Sequence, residues 1–372
     1  SHWFERIMDE YRKWAEFERD WKNARRESIR RLAFPFPYRK GQKELASQVY
    51  RTIYHGKRLF IEAPTGAGKT LSTVFPAVKA VGEGLADKLF YLTAKTITGT
   101  VASEAFSILR KAGLSYKTVS ITAKEKVCFM EETECNPLAC VYADGHYDRI
   151  NDAIFDLLTS EDEYSRETIC KYAEKHKVCP FEMCLDLTLF ADAVICDYNY
   201  VFDPNVYLRR FFSEGVRGDY LFLVDEAHNL VERGREMYSA VLYKEQFLEM
   251  KRKVKGISSI LEKAIDACNS KMLKLKRECG EFCVFESIES FASALARAAA
   301  KMDKWLEEDE NSAVHREVFE FYMEIRHFLS IYECLDSNYV IYGEMTEEKT
   351  FKLKLFCVHP AANLRACTDK GK

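Results

Sequence analysis

A glycine-containing turn between an apolar run and a helix constrains the fold of this chain more than any other feature. The turn reads Ala63-Pro64-Thr65-Gly66-Ala67-Gly68-Lys69-Thr70, and the apolar run 58–63 that leads into it predicts a buried strand. Glycines let backbone N–H groups curl around phosphates, and the N-terminus of the following helix favours negative charge. We expect Lys69 to reach the outer phosphates of a nucleotide and the Thr70 hydroxyl to bind Mg²⁺. The strict pattern begins with glycine, where this chain has Ala63.

Two adjacent carboxylates end a second apolar strand far downstream. The run 220–224 is followed by Asp225, Glu226, Ala227 and His228. Ligands of open α/β sheets bind at the carboxyl ends of the strands, so these acids are expected to face the same nucleotide. Asp225 is the expected partner of Mg²⁺, and Glu226 is expected to orient or deprotonate the attacking water. We expect His228 to bond near the γ-phosphate or to link the nucleotide state to a nucleic-acid face.

Alternating strand and helix patterns surround these two motifs. Strands are predicted at 88–93, 117–121 and 193–196, and helices are predicted from Thr70 and over 100–111. This alternation is typical of an α/β fold with a parallel sheet and helices on both faces.

The two ends of the pattern are helical. Residues 3–31 carry aromatic side chains near heptad spacing, which predicts a helix that packs against a segment upstream of this chain. From 231 to 345 no strand is predicted, and Lys, Glu, Leu and Ala indicate a helical domain.

A cysteine-rich insert over 124–190 interrupts the alternation. Its thiols follow the spacing C-x6-C-x4-C-x38-C, formed by Cys128, Cys135, Cys140 and Cys179. Structural zinc sites favour tighter pairs, so this spacing favours a cubane iron–sulfur cluster. Cys170 and Cys184 compete with Cys179 for the fourth position, and burial as small apolar side chains is the ordinary alternative for any free cysteine.

Composition excludes several classes of protein. The 372 residues are 47% hydrophobic and 30% charged, with a net charge of −3, as in a globular protein. No run of 18 apolar residues occurs, which excludes a membrane helix, and the N-terminus carries no secretory signal pattern. Thirteen cysteines in a chain that is not secreted favour a metal site over disulfides. The expected localisation is therefore intracellular, in the cytoplasm and associated with the nucleoid.

The order of these motifs resembles that of the iron–sulfur DNA helicases of the DinG/XPD type. The resemblance runs from about Tyr38 to the C-terminus and rests on the glycine turn, the Asp-Glu-Ala-His sequence and the cysteines between them. Tyr38, Arg39 and Gln42 look like the adenine-sensing segment of that family. Residues 91–96 look like the strand-end motif that touches single-stranded DNA.

The resemblance implies particular activities and ligands. It implies an ATP-dependent DNA helicase that moves 5′ to 3′, with ATP and Mg²⁺ bound by Lys69, Thr70, Asp225 and Glu226 in a RecA-like lobe. It also implies a 4Fe–4S cluster on the four cysteines, which braces a small domain that helps part forked duplex DNA. Single-stranded DNA and forked duplex DNA are the implied partners.

The resemblance also implies a domain order. We expect a helical extension at 1–34, two parts of a RecA-like lobe at 35–123 and 183–230, an iron–sulfur domain at 124–182, a helical arch domain at 231–345 and a truncated return to the lobe at 346–372. The next helicase motif, usually Ser-Ala-Thr, does not follow residue 360. Because the chain also begins with Ser, we expect the N-terminal part of a helicase, partnered by a missing second lobe. Some relatives carry an upstream nuclease domain.

Two other classes fit part of the sequence. An ATP-gated DNA-binding adaptor with a cluster or zinc site would explain a single lobe, but it would not need Glu226. A small-molecule kinase or another phosphate-loop NTPase would leave both the cysteine insert and the helical region unexplained. We therefore expect a helicase whose isolated chain is weakly active, because the second lobe normally supplies a transition-state arginine.

Overall fold

The computed structural model describes residues 2–63, 68–94, 96–133, 135–309 and 312–371. The chain divides into two compact units. The first comprises residues 1–201, 208–228 and 366–372, and the second comprises residues 202–207 and 229–365. Among the described helices, none is both long and apolar enough to cross a membrane.

The first unit is built on a five-stranded parallel sheet. Its strands are β1 (Lys88–Thr93), β2 (Thr118–Ser120), β3 (Glu163–Tyr164), β4 (Ala193–Asp197) and β5 (Tyr220–Val224). They lie in the order β3-β2-β4-β1-β5, and every pairing is parallel. The helices that begin in this unit are α1 (His2–Arg31), α2 (Gln42–Tyr54), α3 (Lys69–Gly82), α4 (Thr96–Lys111), α5 (Lys124–Val127), α6 (His146–Ser160), α7 (Arg166–His176), α8 (Pro180–Phe190), α9 (Asn199–Phe202) and α10 (Arg209–Phe212).

Side chains from both faces of the sheet form the core of this unit. On one face α3 and α4 bury Val74, Val78 and Phe106 against β1 and β4. On the other face, the ring centroid of Phe90 lies 5.1 Å from that of Phe212 in α10. A central strand covered on both faces is buried along its whole length, as β1 is. The expectation of an α/β fold with a parallel sheet is confirmed.

The N-terminal helix packs on this unit, so Trp14 and Trp21 need no upstream segment. Trp3 and Ile7 are exposed, and for them an upstream partner stays a prediction. Trp14 contacts Phe155 and Phe190 at ring-centroid distances of 5.1 and 5.2 Å. The indole of Trp21 and the guanidinium of Arg25 both donate hydrogen bonds to the buried carboxylate of Asp192, at 3.0 and 2.5 Å. Buried apolar and charged contacts therefore attach α1 to the sheet domain.

The second unit combines helices with an antiparallel sheet. Its strands β6 (Ala240–Tyr243), β7 (Phe282–Phe285), β8 (Tyr339–Met345) and β9 (Phe351–Cys357) lie in the order β6-β9-β8-β7. Its helices are α11 (Leu230–Met237), α12 (Lys244–Val254), α13 (Ser259–Cys279), α14 (Glu289–Glu308), α15 (His315–Glu333) and α16 (Ala361–Thr368). The core lies between the helices and one face of the sheet, and it includes Phe247, Phe291, Phe328 and Leu353.

Two predictions of secondary structure are wrong. Residues 58–63 form no strand, and the side chain of Phe60 is 88% exposed. An apolar run becomes a strand only beside a partner, and β1 is the one described strand that pairs with β5. The region 231–345 also contains β6, β7 and β8, although no strand was predicted there. β6 and β7 have only 4 residues each, too few for alternation to stand out among long helices.

Candidate functional site

The described end of the glycine turn lies at the start of α3. Gly68 is the residue before the helix and has a φ of 71°, a left-handed conformation that glycine adopts without strain. Lys69 and Thr70 occupy the first turn of α3, where backbone N–H groups have no partner within the helix. Ala63 precedes the turn. The remaining predicted residues of the turn lie outside the described residues: Pro64, Thr65, Gly66 and Ala67.

The proposed adenine-sensing segment lies beside this turn. The backbone N–H of Arg39 donates to Oε1 of Gln42 at 2.8 Å, and Gln42 is buried. A Cβ atom added to Gly68 would lie 2.2 Å from Nε2 of Gln42, so a larger residue at this position would displace the amide. Tyr38 stacks on Phe34 with 4.2 Å between ring centroids. The structure thus brings Gln42 against the end of the glycine turn.

The carboxylates that follow β5 lie near the first turn of α3. A carboxylate oxygen of Glu226 lies 3.5 Å from Nζ of Lys69, and the other oxygen lies 3.4 Å from Nδ1 of His228. Glu226 has a φ of 50°, which is a strained backbone conformation for a residue that carries a Cβ atom. Strain of this kind is concentrated at functional sites, because the surrounding structure must hold it in place.

Tyr91 lies beside the two residues that we predict to bind Mg²⁺. Tyr91 is buried, and Thr70 and Asp225 both lie close enough to its hydroxyl to affect its pKa, which burial raises. Burial and the neighbouring Glu226 raise the pKa of Asp225, and the backbone N–H of Glu226, which donates to Asp225 at 3.0 Å, opposes this rise. Thr70 and Asp225 therefore lie beside the same buried tyrosine.

Tyr198 supports the backbone of the acidic pair. Its buried hydroxyl donates to the carbonyl oxygens of Asp225 and Glu226, the latter at 3.1 Å. The sequence patterns predict no part in the nucleotide site for either Tyr91 or Tyr198. One signal was available for Tyr91, since it lies on the strand that ends in the predicted DNA-contacting motif, whereas Tyr198 offers no pattern of its own.

The geometry suits binding of a magnesium–phosphate group. Hydroxyl and carboxylate oxygens are ligands that Mg²⁺ prefers, and Thr70 and Asp225 would supply one of each. Lys69 would supply positive charge to the phosphates, and the helix N-terminus adds its dipole. Of the predicted residues at 91–96, Lys95 lies outside the described residues.

The predicted cluster ligands are distributed over the start and end of the cysteine-rich insert. Cys179 precedes α8, and burial raises the pKa of its thiol. Lys124 lies within electrostatic range of both Cys135 and Cys179. The positive charge of Lys124 favours thiolates at both positions, whereas burial of Cys179 opposes ionisation of that thiol.

The described thiols are not gathered into a closed metal site. Cys135 is exposed, Cys128 and Cys179 are half-buried, and Cys140 is buried. No group of three or more His, Cys, Asp or Glu residues in the described ranges is arranged to hold a metal ion. The chemistry of these donors fits a cluster, whereas their present spacing does not.

The two competing cysteines differ in environment. Cys184 is buried, its thiol lies 3.8 Å from the carbonyl oxygen of Ser120, and burial raises its pKa to about 12. Cys170 is half-buried, and burial also raises its pKa. Cys184 therefore behaves as a core residue in this structure.

Two families of known proteins match the chain. The DEAD/DEAH box helicase family matches residues 43–128, and the DEAD_2 family matches residues 110–247. The chain is 22% identical over 258 residues to Regulator of telomere elongation helicase 1 of Homo sapiens, an alignment that covers 55% of this chain and 21% of the relative. It is 33% identical over 70 residues to the General transcription and DNA repair factor IIH helicase subunit XPD of Dictyostelium discoideum, covering 19% of this chain and 9% of the relative.

Solved structures share the fold. A chain named XPD helicase superposes with a TM-score of 0.55 at 17% identity, and the match covers 90% of this chain and 57% of that chain. A chain named Truncated XPD gives a TM-score of 0.56 at 15% identity, covering 88% and 90%. Residues 43–247 of this chain are therefore similar in sequence to the DEAD/DEAH box and DEAD_2 helicase families, and the chain shares the fold of the two XPD structures. The chain spans about a fifth of the human relative.

Proposed function

We propose that this chain is the first motor lobe of an ATP-dependent DNA helicase that translocates 5′ to 3′ on single-stranded DNA. The observation that carries the proposal is the convergence of Lys69, Thr70, Asp225 and Glu226 at one end of the sheet. Helicases of this class use ATP and Mg²⁺, and the side chains at this end of the sheet are suited to both.

Each residue has a defined task in the proposed reaction. Lys69 would contact the outer phosphates, while Thr70 and Asp225 would hold Mg²⁺, which would neutralise phosphate charge. Glu226 would orient the attacking water and withdraw its proton. His228, whose Nδ1 lies 3.4 Å from a carboxylate oxygen of Glu226, is exposed at the edge of the site and would link the state of Glu226 to bound nucleic acid. Tyr38, Arg39 and Gln42 contact the base.

We also propose a 4Fe–4S cluster bound by Cys128, Cys135, Cys140 and Cys179. The ammonium of Lys124 lies within electrostatic range of Cys135 and Cys179 and favours thiolates at both positions. When bound, the cluster would brace the insert as a rigid structural element.

We also propose a domain order, partners and a location for this chain. The compactness of residues 229–365 as a unit of its own supports a separate arch domain after the acidic pair. We propose single-stranded and forked duplex DNA as substrates, a second RecA-like lobe as the motor partner and an intracellular, nucleoid-associated location. An upstream nuclease domain is a further proposed neighbour.

Strand-displacement assays on the protein that carries this chain test the proposal. A forked duplex with a 5′ single-stranded tail should be unwound with ATP and Mg²⁺, and one with only a 3′ tail should not. The Lys69→Ala variant should unwind neither. Tight DNA binding with no displacement on any tail, together with one zinc and no iron, would favour the ATP-gated adaptor instead.

A further inference from the structure

One face of the antiparallel sheet in the second unit is open. In β9 the side chains of Leu353 and Leu355 are buried in the core, so the alternate residues Lys352, Lys354 and Phe356 point to the other face. The register of the sheet extends this face across its neighbours. We name it the outer sheet face, and it consists of Val241, Tyr243, Phe282, Val284, Val340, Tyr342, Glu344, Lys352, Lys354 and Phe356.

Three aromatic rings form a diagonal row on the outer sheet face. The ring of Phe282 in β7 lies 5.6 Å from that of Tyr342 in β8, and Tyr342 lies 6.4 Å from Phe356 in β9, both measured between centroids. Phe282 is 59% exposed and its neighbour Val284 is 57% exposed. Large exposed apolar side chains that cluster on one surface indicate a binding site.

Lysine side chains lie over the same row. Nζ of Lys354 is 4.8 Å from the centroid of the Phe356 ring, and Nζ of Lys352 is 5.9 Å from that of Tyr342. Lys352 also pairs with Glu344 at 2.5 Å. In the described part of the chain, Lys354 has no carboxylate within ion-pairing distance, so its charge is available to a ligand.

We propose that the outer sheet face binds single-stranded DNA. Aromatic rings on an open sheet stack with unpaired bases of any sequence, and the neighbouring ammonium groups neutralise phosphates. The uncompensated charge of Lys354 favours a polyanion over an apolar partner. This site lies on the second unit, whereas the nucleotide site lies on the first. The inference rests on the proposed function and deepens it by naming a further contact surface for single-stranded DNA.

Crosslinking tests the location of this site. The chain is irradiated with a fluorescent oligothymidylate that carries 5-iodouracil, without nucleotide, and the crosslinked peptides are identified by mass spectrometry. We expect crosslinks to Phe282 and Tyr342. Crosslinks confined to the first unit would overturn the proposal.

Binding affinity provides the second measurement. The double variant Phe282→Ala, Tyr342→Ala should weaken binding of the oligonucleotide by about 30-fold or more, because two stacking rings are lost. Phe319→Ala is the matched control, since this aromatic residue of α15 is 48% exposed but lies off the sheet. Equal affinities for the double variant and the control would contradict the proposal.

A third variant, which changes only a charge, tests the site even if the double variant misfolds. Lys354→Gln should preserve the thermal unfolding transition while it lowers the salt dependence of binding by about one unit of slope. An unchanged slope would count against the site. Lys69→Ala, which lacks the lysine of the ATP site, should still bind the oligonucleotide on this face. Loss of DNA binding at the outer sheet face can therefore be distinguished from loss of ATP binding.

Discussion

Nζ of Lys69 lies 3.5 Å from a carboxylate oxygen of Glu226, so the proposed phosphate-contacting cation and the proposed general base are paired with each other. Both side chains are about one-third exposed, and water therefore screens the pair. A bound nucleotide would compete for Lys69 through its phosphates and would release Glu226 towards the attacking water. The pair thus couples nucleotide binding to the availability of the general base.

Glu226→Gln should separate ATP binding from hydrolysis. Glutamine keeps the shape of the side chain but accepts no proton, so the DNA-stimulated rate should fall about 10²- to 10⁴-fold. ATP affinity should be unchanged or higher, because Lys69 loses its competing carboxylate. Steady-state ATPase rates and equilibrium binding of a fluorescent ATP analogue measure the two quantities. A parallel loss of both would contradict the assigned role.

Lys69→Ala should abolish detectable ATP binding. The lysine supplies the positive charge at the start of α3, and neutral alanine cannot replace it. Lys111→Ala, at the exposed end of α4, is the control for removal of one positive charge from the same unit. Isothermal titration with ATP and Mg²⁺ distinguishes the variants, and retained tight binding by Lys69→Ala would refute the site.

Tyr91→Phe should raise the Mg²⁺ concentration needed for ATP binding. The variant loses the buried hydroxyl beside Thr70 and Asp225, and the loss of one polar contact to a charged group costs about 1.5 kcal/mol, so a shift of about tenfold is expected. The experiment is a Mg²⁺ titration of ATP-analogue fluorescence. Tyr11→Phe, on exposed helix α1, should leave the curve in place. Identical curves for both variants would show that Tyr91 has no role in positioning.

Cys135→Ser should release iron and lower the stability of the insert. The loss of one thiolate ligand of four opens a cluster, whereas Cys334→Ser removes an exposed thiol from the second unit and should leave the iron content unchanged. Iron and sulfide analysis after anaerobic purification, with the visible spectrum, compares the two proteins. Equal iron content in both would exclude Cys135 as a ligand.

Alkylation should separate ligand cysteines from core cysteines in metal-free protein. The thiolate is the reactive form, and burial raises the pKa of Cys184 to about 12, so this residue should remain unmodified at pH 8. Exposed Cys135 should react within minutes. Unfolding in guanidinium returns Cys184 to an ordinary pKa and should restore its reaction. Mass spectrometry of iodoacetamide-treated peptides measures both rates, and rapid modification of native Cys184 would contradict its core placement.

Asp192→Asn should loosen the N-terminal helix. This carboxylate is only 3% exposed and accepts hydrogen bonds from Trp21, Arg25 and the backbone N–H of Lys117. Removal of its charge leaves Arg25 buried and unpaired, and breaking a buried pair costs about 3–5 kcal/mol. Chemical denaturation measures the loss, with exposed Asp20→Asn as the control. A loss within about 0.5 kcal/mol of the control would show that α1 docks by other contacts.

Local patterns predicted the parallel sheet well. Residues 88–93 and 220–224 form strands at the predicted positions, because long apolar runs beside helical patterns leave few alternatives. The same reasoning failed for residues 58–63, since an apolar run specifies burial but not a pairing partner. The same reasoning also failed for β8, because apolar and polar residues alternate only weakly over 339–345. Pairing of β8 with β9 depends on the fold of the whole unit.

The sequence predicted which residues form the candidate site, but it did not predict the contacts that join them. Ligands of open α/β sheets bind at the carboxyl ends of the strands. Because Lys69 and Asp225 each follow an apolar run, the sequence alone predicts that they lie at the same edge of the sheet. The hydrogen bonds of Tyr198 and the position of Tyr91 beside Asp225 join the segment after β4 and strand β1 to the acidic pair, and sequence spacing carries no information about such contacts.

The cysteine-rich insert contributes β3 to the parallel sheet of the first unit, where Glu163 and Tyr164 pair with β2. Arg110 of α4 reinforces this junction, since its guanidinium bonds both Glu163 and Thr118. A load applied to the insert by a DNA fork would therefore act in shear across backbone hydrogen bonds instead of bending a hinge. The insert and the sheet would respond to such a load as one stiff mechanical part.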